Sequence, residues 1–351
     1  MATKQNALED TGNPRRLVVS HGSALQFWRR ARRAAGTPGQ ANRDTLIEPE
    51  YLTRRLGVPE TSASSSAMLA KSAAESLGIQ IPIRSIVTRL GDRRNSSSAL
   101  YRVCTWKIPA EHLIRLNSQI IVCSPELALY QISPKCDTTS LAQLMSELCG
   151  TYVLTPDKPD GFTGDLACIT TSERLRNFLA LGLQSPKTRG AVKFEQAIRL
   201  SAEHSASPAE SKLATLLCGP TTLGGFGLKG ATLNHEIPFT REAARLTRRD
   251  SFRPDLLWPG SREIVEYNGS IHGSQSSIED DADRLNALAS MGYRVTTVTR
   301  RQTRSLPAIT AIAQGIAERI GMGELPRSPT LMARRRVLHG SLYGIDMQDQ
   351  R

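Results

Sequence analysis

The sequence predicts an α/β (α+β) protein in two parts: a C-terminal mixed β-sheet flanked by helices, and a smaller N-terminal mixed α/β domain. Three observations carry that expectation. The chain has 351 residues, more than one average domain and enough for two cores. Between residues 253 and 299, two short apolar runs joined by a Pro-Gly turn are followed by a segment of helical period and a further extended run, YRVTTVT. A tight turn joins antiparallel strands, whereas strand, helix and strand make a crossover between parallel ones, so the sheet must be mixed. Near residue 200, helical text such as SERLRNFLALGL and AVKFEQAIRLSAEH gives way to SASPAESKLATLLCG, which has a different character and marks the boundary.

Residues 1–55 are rich in Arg, Gly, Asn and Pro and lack sustained apolar periodicity beyond VVSHGSALQFWRRARRA. They read as a weakly structured basic arm with at most one marginal helix. Residues 56–200 form the N-terminal mixed domain. SASSSA precedes a helix over 68–77, and PIRSIVTRL and ALYRVCTWKI are two strands around the loop GDRRNSSS. The run SQIIVC ends at Ser124, a good N-cap, with Pro125 at the first helical position; SLAQLMSELC is a helix stopped by Gly150. His112 stands alone, and Cys123 and Cys149 sit in apolar company, so all three read as core residues.

Residues 201–325 form the second domain. Ser207, Pro208 and Glu210 make a capping box ahead of a helix whose apolar stripe is Leu213, Leu216 and Leu217. The following GGFGLKG has G-x-G-x-x-G spacing, but that fingerprint must follow a strand and open a helix. Here a helix precedes it and the extended ATLNHEIPF follows, so it is a glycine-rich turn. Residues 326–351, with Arg334, Arg335 and Arg336, read as an exposed basic tail.

Lys and Arg number 45 against 33 Asp and Glu, a net charge of +12, which favours an acidic partner such as nucleic acid or an anionic membrane surface. No apolar run reaches the roughly 18 residues of a membrane-spanning helix, so no membrane association is expected. The opening MATKQNALEDTGNPRRL has no signal-type apolar core, so the expected location is cytoplasmic. Cys104, Cys123, Cys136, Cys149, Cys168 and Cys218 include no C-x-x-C pair, which argues against a cysteine zinc site.

The stretch RPDLLWPGSREIVEYNG carries the chemistry. A hairpin about Gly260 and Ser261 pairs Leu257 with Ile264, and Asp255 then faces Glu266. Two carboxylates opposed across antiparallel strands have Cβ atoms roughly 5 Å apart and repel each other. A divalent ion bridging them relieves the repulsion, and an all-oxygen donor set points to Mg²⁺ or Mn²⁺. Alternatively the strands splay, and the acids are solvated or paired with Arg253 and Arg262. Downstream lie His272 and a helix over SSIEDDADRLNALAS, where Asp281 shares a stripe with Ile278, Leu285 and Leu288 and has Arg284 as its partner. Upstream, Arg241, Arg245, Arg248 and Arg249 share one face if helical and would meet phosphates there together with Arg253; a solvated loop is the alternative.

In the order and spacing of these motifs, residues 207–302 resemble the very-short-patch-repair-like branch of the PD-(D/E)XK endonuclease superfamily. The family's helix-borne glutamate is matched by Glu210, and its R-P-D strand by Arg253, Pro254 and Asp255. Its E-x-(D/N)-G strand is matched by Glu266, Asn268 and Gly269, its histidine by His272, its D-x-x-R helix by Asp281 and Arg284 with Leu288, and its closing V-T by Val298 and Thr299. The resemblance implies a restriction-endonuclease-like core and metal-assisted hydrolysis of phosphodiester bonds, in DNA first. It implies that Asp255 and Glu266 hold Mg²⁺ or Mn²⁺ together with the Tyr267 carbonyl, with Glu210 completing the site. Glu210, Asp255, Glu266, Asn268 and His272 are then the catalytic set, and Asp281 and Arg284 support it. At Asn268 the sequence departs from the superfamily, whose active members usually place a lysine there. A second expectation follows from that departure: a nucleic-acid-binding regulator that kept the fold and lost the chemistry. The strand and SPE helix at 119–130 faintly resemble the second domain of antitoxins that partner nucleotidyltransferase toxins, which suits a regulator and a protein partner for the N-terminal domain.

Overall fold

A computed structural model describes residues 16–36, 46–56, 66–181, 189–247, 249–269 and 275–344. The protein is of mixed α/β class and divides into two compact units, residues 1–198 and 199–351.

The first unit opens with β1 (Leu17–Val19), α1 (His21–Ala35), α2 (Pro49–Leu56), α3 (Ser66–Leu77), β2 (Ile83–Val87) and β3 (Ala99–Val103). It continues with β4 (Leu113–Arg115), β5 (Ile120–Cys123), α4 (Pro125–Ile132), α5 (Thr138–Cys149), the small pair β6 (Val153–Leu154) and β7 (Phe162–Thr163), α6 (Ser172–Ala180) and α7 (Arg189–Leu200). Five strands form a sheet in the order β3-β2-β1-β5-β4, with β1 parallel to β5 and antiparallel to β2. Ser124 caps α4, accepting from Leu127 N, and Gly150 ends α5, as their sequence signals require.

The basic arm expected over residues 1–55 is corrected for residues 17–35. LVV is the central strand, wholly buried, and such a strand reads as a continuous apolar run rather than as an alternation. α1 is held by its large side chains: Phe27 and Trp28 are buried, and the Trp28 indole donates to the Cys123 carbonyl at 2.8 Å. Its arginines are structural as well. Arg29 makes a two-point ion pair with the buried Glu147, at 2.8 and 2.6 Å. The buried Arg32 donates to the carbonyls of Glu147 and Tyr152, at 2.7 and 2.8 Å, and to that of Gly150. These oxygens lie at and just beyond the C-terminal end of α5, where orphan carbonyls and the helix dipole favour a cation. Counting WRRARR as solvated charge is therefore an error for two of its four arginines.

The second unit contains α8 (Pro208–Cys218), β8 (Thr232–Leu233), β9 (Ile237–Pro238), α9 (Arg241–Ala244), β10 (Ser251–Phe252), β11 (Leu256–Trp258), β12 (Glu263–Asn268), α10 (Gln275–Ser290), β13 (Arg294–Thr299), α11 (Arg300–Arg304), α12 (Leu306–Arg319) and α13 (Pro329–Tyr343). Its main sheet has the order β13-β12-β11-β8; β12 runs parallel to β13 and antiparallel to β11, the mixed arrangement expected. The glycine-rich segment is a turn, with Gly224, Gly227 and Gly230 all at positive φ, and it feeds β8 rather than a helix. ATLNHEIPF is two short strands rather than one, because Asn234 takes a left-handed conformation (φ 51°) between them. Gly292, also left-handed, ends α10 in a Schellman pattern: its N–H donates to Ala289 O and that of Tyr293 to Leu288 O.

The exposed tail expected over 326–351 is likewise corrected. α13 buries Leu338 and Leu342, and Arg335 is only 4% exposed, with its guanidinium 4.1 Å from the centre of the Phe226 ring. His339 lies 2.8 Å from the Thr303 carbonyl. Arg334 and Arg336 are exposed, so of the three-arginine run only the middle one faces inward, as a helix one-third buried requires. Residues 345–351 lie outside the described residues.

Candidate functional site

The hairpin has the register that the turn signal dictates. Leu256 pairs with Val265, Leu257 with Ile264 and Trp258 with Glu263, around a short 3-10 turn (Pro259–Ser261) closed by Arg262 at φ 51°. Continuing that register by one residue sets Asp255 opposite Glu266. The two are laced by the backbone: Asp255 N–H donates to Glu266 Oε1 at 3.0 Å, and Tyr267 N–H donates to Asp255 Oδ2 at 2.6 Å. By strand alternation both acids lie on the face of Leu257 and Ile264, which pack with Ile237, Phe252 and Leu288 of α10. The site therefore has an apolar floor.

Glu210 is brought in from the first turn of α8. Ser207 Oγ accepts the Glu210 N–H at 3.2 Å, but the reciprocal half of the capping box is shifted: Glu210 Oε2 takes the N–H of Ala206, at 2.8 Å. The same oxygen accepts from Asn234 Nδ2 at 2.8 Å, and that amide also donates to the His204 carbonyl. Asn234 was missed in the sequence. The readable signal was an asparagine interrupting an extended run, a residue type that tolerates the left-handed conformation.

Electrostatically the three carboxylates share one environment. Burial, then the charges of Glu210 and Glu266, push the Asp255 carboxyl up to about 8. Burial raises Glu266 to about 7, with Glu210 and Asp281 adding to the push. Among the described residues, the cation that opposes them is Arg284. Arg284 Nη1 lies 3.9 Å from Glu266 Oε2, its Nη2 lies 3.2 Å from Asp281 Oδ1, and its guanidinium sits 4.8 Å from the centre of the Phe252 ring. Glu263, on the same strand, makes the contrast plain. It is fully buried, but Arg319 neutralises it with two bonds of 2.9 and 2.6 Å. Arg253 and Arg262 do not serve Asp255 or Glu266 in that way: Arg253 pairs with Glu236 and Arg262 donates to the Met291 carbonyl.

Other expected site residues are placed differently. Asp281 is 62% exposed and Leu285 is exposed, so the apolar stripe of α10 does not include them. Among the described side chains of α10 the buried ones are Ala287 and Leu288, and Arg284, one turn earlier, turns the acid's partner inward. Asn268 stands two residues beyond Glu266, hence on the same face, where it carries no charge. Arg241, Arg245 and Arg249 are exposed but share no helical face: α9 is a single turn, closed at Arg245 before the chain straightens into β10. Arg248 and His272 lie outside the described residues.

Among the described residues, no three His, Cys, Asp or Glu side chains stand together as a ready-made metal cage. The donor chemistry nonetheless suits a hard divalent ion. Asp255 and Glu266 each give one oxygen to a backbone N–H and keep the other, which leaves two carboxylate oxygens and the strand carbonyls as donors. All six cysteines are free. Among the described residues no helix is long and apolar enough to cross a membrane. Compared with protein-family models, curated proteins and solved structures, the chain matches none, so the site stands on its own geometry.

Proposed function

We propose that the second unit is a metal-dependent nuclease domain with a restriction-endonuclease-like core, hydrolysing phosphodiester bonds in nucleic acid, DNA first. One observation carries the reading: Asp255 and Glu266 oppose each other on an apolar floor, beside Glu210, without the two-bond arginine pairing that Glu263 of the same sheet receives from Arg319 of α12; Arg284 comes only to 3.9 Å from Glu266. Proteins pair or neutralise buried acids unless the site has a use for the charge. Mg²⁺ or Mn²⁺ is the proposed cofactor. Asp255, Glu266 and the Tyr267 carbonyl would hold it, and when bound it polarises a phosphate and lowers the pKa of an attacking water. Asn234 and the Ala206 N–H orient Glu210 toward the pair, and Arg284 offers a positive charge to a phosphate on the α10 side. The basic excess of the chain supports an anionic substrate.

The test is calorimetric titration of Mn²⁺ into the full chain and into Glu266→Ala, followed by Mg²⁺-dependent cleavage of plasmid DNA. Saturable Mn²⁺ binding that Glu266→Ala abolishes is the expected result; absence of binding to the wild type overturns the proposal. A second reading, a nucleic-acid-binding regulator without activity, is favoured by Asn268, which cannot stabilise developing negative charge as a lysine does. DNA binding unchanged by EDTA, with no cleavage, would select it.

A further inference from the structure

In the first unit, the end of β1 gathers basic groups from four segments. Ser20 N–H and Oγ–H both donate to the Arg84 carbonyl of β2, at 2.8 and 3.0 Å, which fixes Arg84 beside the chain as it turns into α1. The parallel register of β2 and β3 sets Arg102 against Ile86, two residues along from Arg84 and on the same face. From α4, Gln131 Oε1 accepts the His21 N–H at 2.8 Å, and Lys135 lies in the turn just beyond the end of that helix, its N–H bonded to the Ile132 carbonyl. His21 stands among them. Its Nδ1 lies 2.9 Å from Ser20 Oγ. That hydroxyl has already given its proton to the Arg84 carbonyl, so Nδ1 carries the ring hydrogen and Nε2 presents a lone pair.

Among the described residues, the charged groups that act on His21 are cations and none is an acid. Burial, then the charges of Arg84, Arg102 and Lys135, hold the His21 ring down to about 4, and no carboxylate counters them. Among the described residues, none of the three cations forms an ion pair. Arg29 in the same unit shows the alternative, because its charge is met by Glu147. Like charges gathered without a counter-charge raise the energy of the empty cluster and lower it when an anion enters. The start of α1 beside the cluster is open and uncapped: a side chain added at Gly22 meets nothing within 4 Å, and α1 has neither a side-chain cap nor an acid in its first turn.

We propose that His21, Arg84, Arg102 and Lys135 form a binding site for a phosphate group, separate from the carboxylate site of the second unit. Three cations and a histidine able to protonate on contact match a phosphate group, whose several oxygens take charged donors from different sides, better than a carboxylate. A phosphate of a nucleic-acid backbone and that of a free phosphate ester share this chemistry.

The experiment follows the His21 ring resonances of the full chain by NMR during titration with inorganic phosphate, at ionic strength held constant with chloride. The expected result is a saturable shift with the His21 pKa moving upward, and affinity weaker by about tenfold or more in Arg84→Gln/Lys135→Gln. Should the double variant misfold by circular dichroism, Lys135→Gln, at an exposed position, provides the comparison. Displacement of phosphate by an unphosphorylated DNA duplex identifies the backbone as the source, and displacement by adenosine monophosphate alone identifies a free ester. A His21 response no different from that to chloride, or unchanged affinity in a folded variant, overturns the proposal.

Discussion

Asp255→Asn should make the metal-free protein more stable at pH 8 while removing its response to metal. The substitution keeps an acceptor for the Tyr267 N–H, now held at 2.6 Å, and deletes one charge of the crowded set. The folded protein holds the Asp255 proton more tightly than the unfolded chain does, so ionisation costs stability as pH rises from the ordinary 3.8 towards about 8. Each unit of that displacement is worth 1.36 kcal/mol, and with water partly relieving the buried charge the cost at pH 8 is roughly 2–5 kcal/mol. Removing it should raise the melting temperature of the second unit by about 5–15 °C at pH 8, and by almost nothing near pH 4, where both acids are protonated. Scanning calorimetry of the full chain in EDTA, at both pH values, reads the difference. Adding Mn²⁺ to about 100 times its Kd should then stabilise the wild type by about 2.7 kcal/mol and leave Asp255→Asn unmoved. A variant less stable than the wild type at pH 8 refutes the electrostatic reasoning, and an equal Mn²⁺ shift in both proteins refutes the assignment of Asp255 as a ligand.

Three further perturbations probe the surroundings. Asn234→Ala frees Glu210 Oε2 from its amide partner and should weaken Mn²⁺ binding roughly tenfold, as loss of an orienting partner commonly does; calorimetric titration measures it. Arg284→Gln removes the cation facing Glu266, so the metal-free protein should lose roughly 1–2 kcal/mol at pH 8 and regain it on acidification, as followed by urea unfolding. Arg32→Ala strands three carbonyls at the end of α5 and empties a buried site, and should cost the first unit roughly 3–5 kcal/mol with no effect on Mn²⁺ binding. Mn²⁺ affinity itself should climb between pH 6 and pH 8, because the ion must displace protons that Asp255 and Glu266 hold up to about 8 and about 7.

The hairpin was legible because its information is local. A four-residue connection sets the pairing sum for the whole ladder, and Leu257 opposite Ile264 then forces Asp255 opposite Glu266. The caps at Ser124 and Ser207 were legible for the same reason, each being a bond between residues three apart. What failed was the reading of basic segments. WRRARR and the Arg334 run carry a high density of charge, and charge density alone says solvated surface. Arg32 is instead bonded to carbonyls more than a hundred residues away, and Arg335 lies over Phe226, partners that no window of sequence contains. α9 failed in the opposite sense: a run of arginines at helical spacing becomes one turn because β10 must pair with β9 a few residues later.

These failures bear on the partner as well as on the fold. A net charge of +12 favours nucleic acid only to the extent that the cations are available to it. Arg29, Arg32, Arg319 and Arg335 are not, since each is engaged by a carboxylate, a carbonyl or an aromatic ring. Arg84, Arg102 and Lys135 form no ion pair among the described residues, and their charges act together on His21. An anionic ligand that reads this chain by electrostatics therefore meets local clusters rather than the total. Substituting an exposed cluster should change the salt dependence of binding, whereas substituting an equal number of engaged arginines should change stability instead.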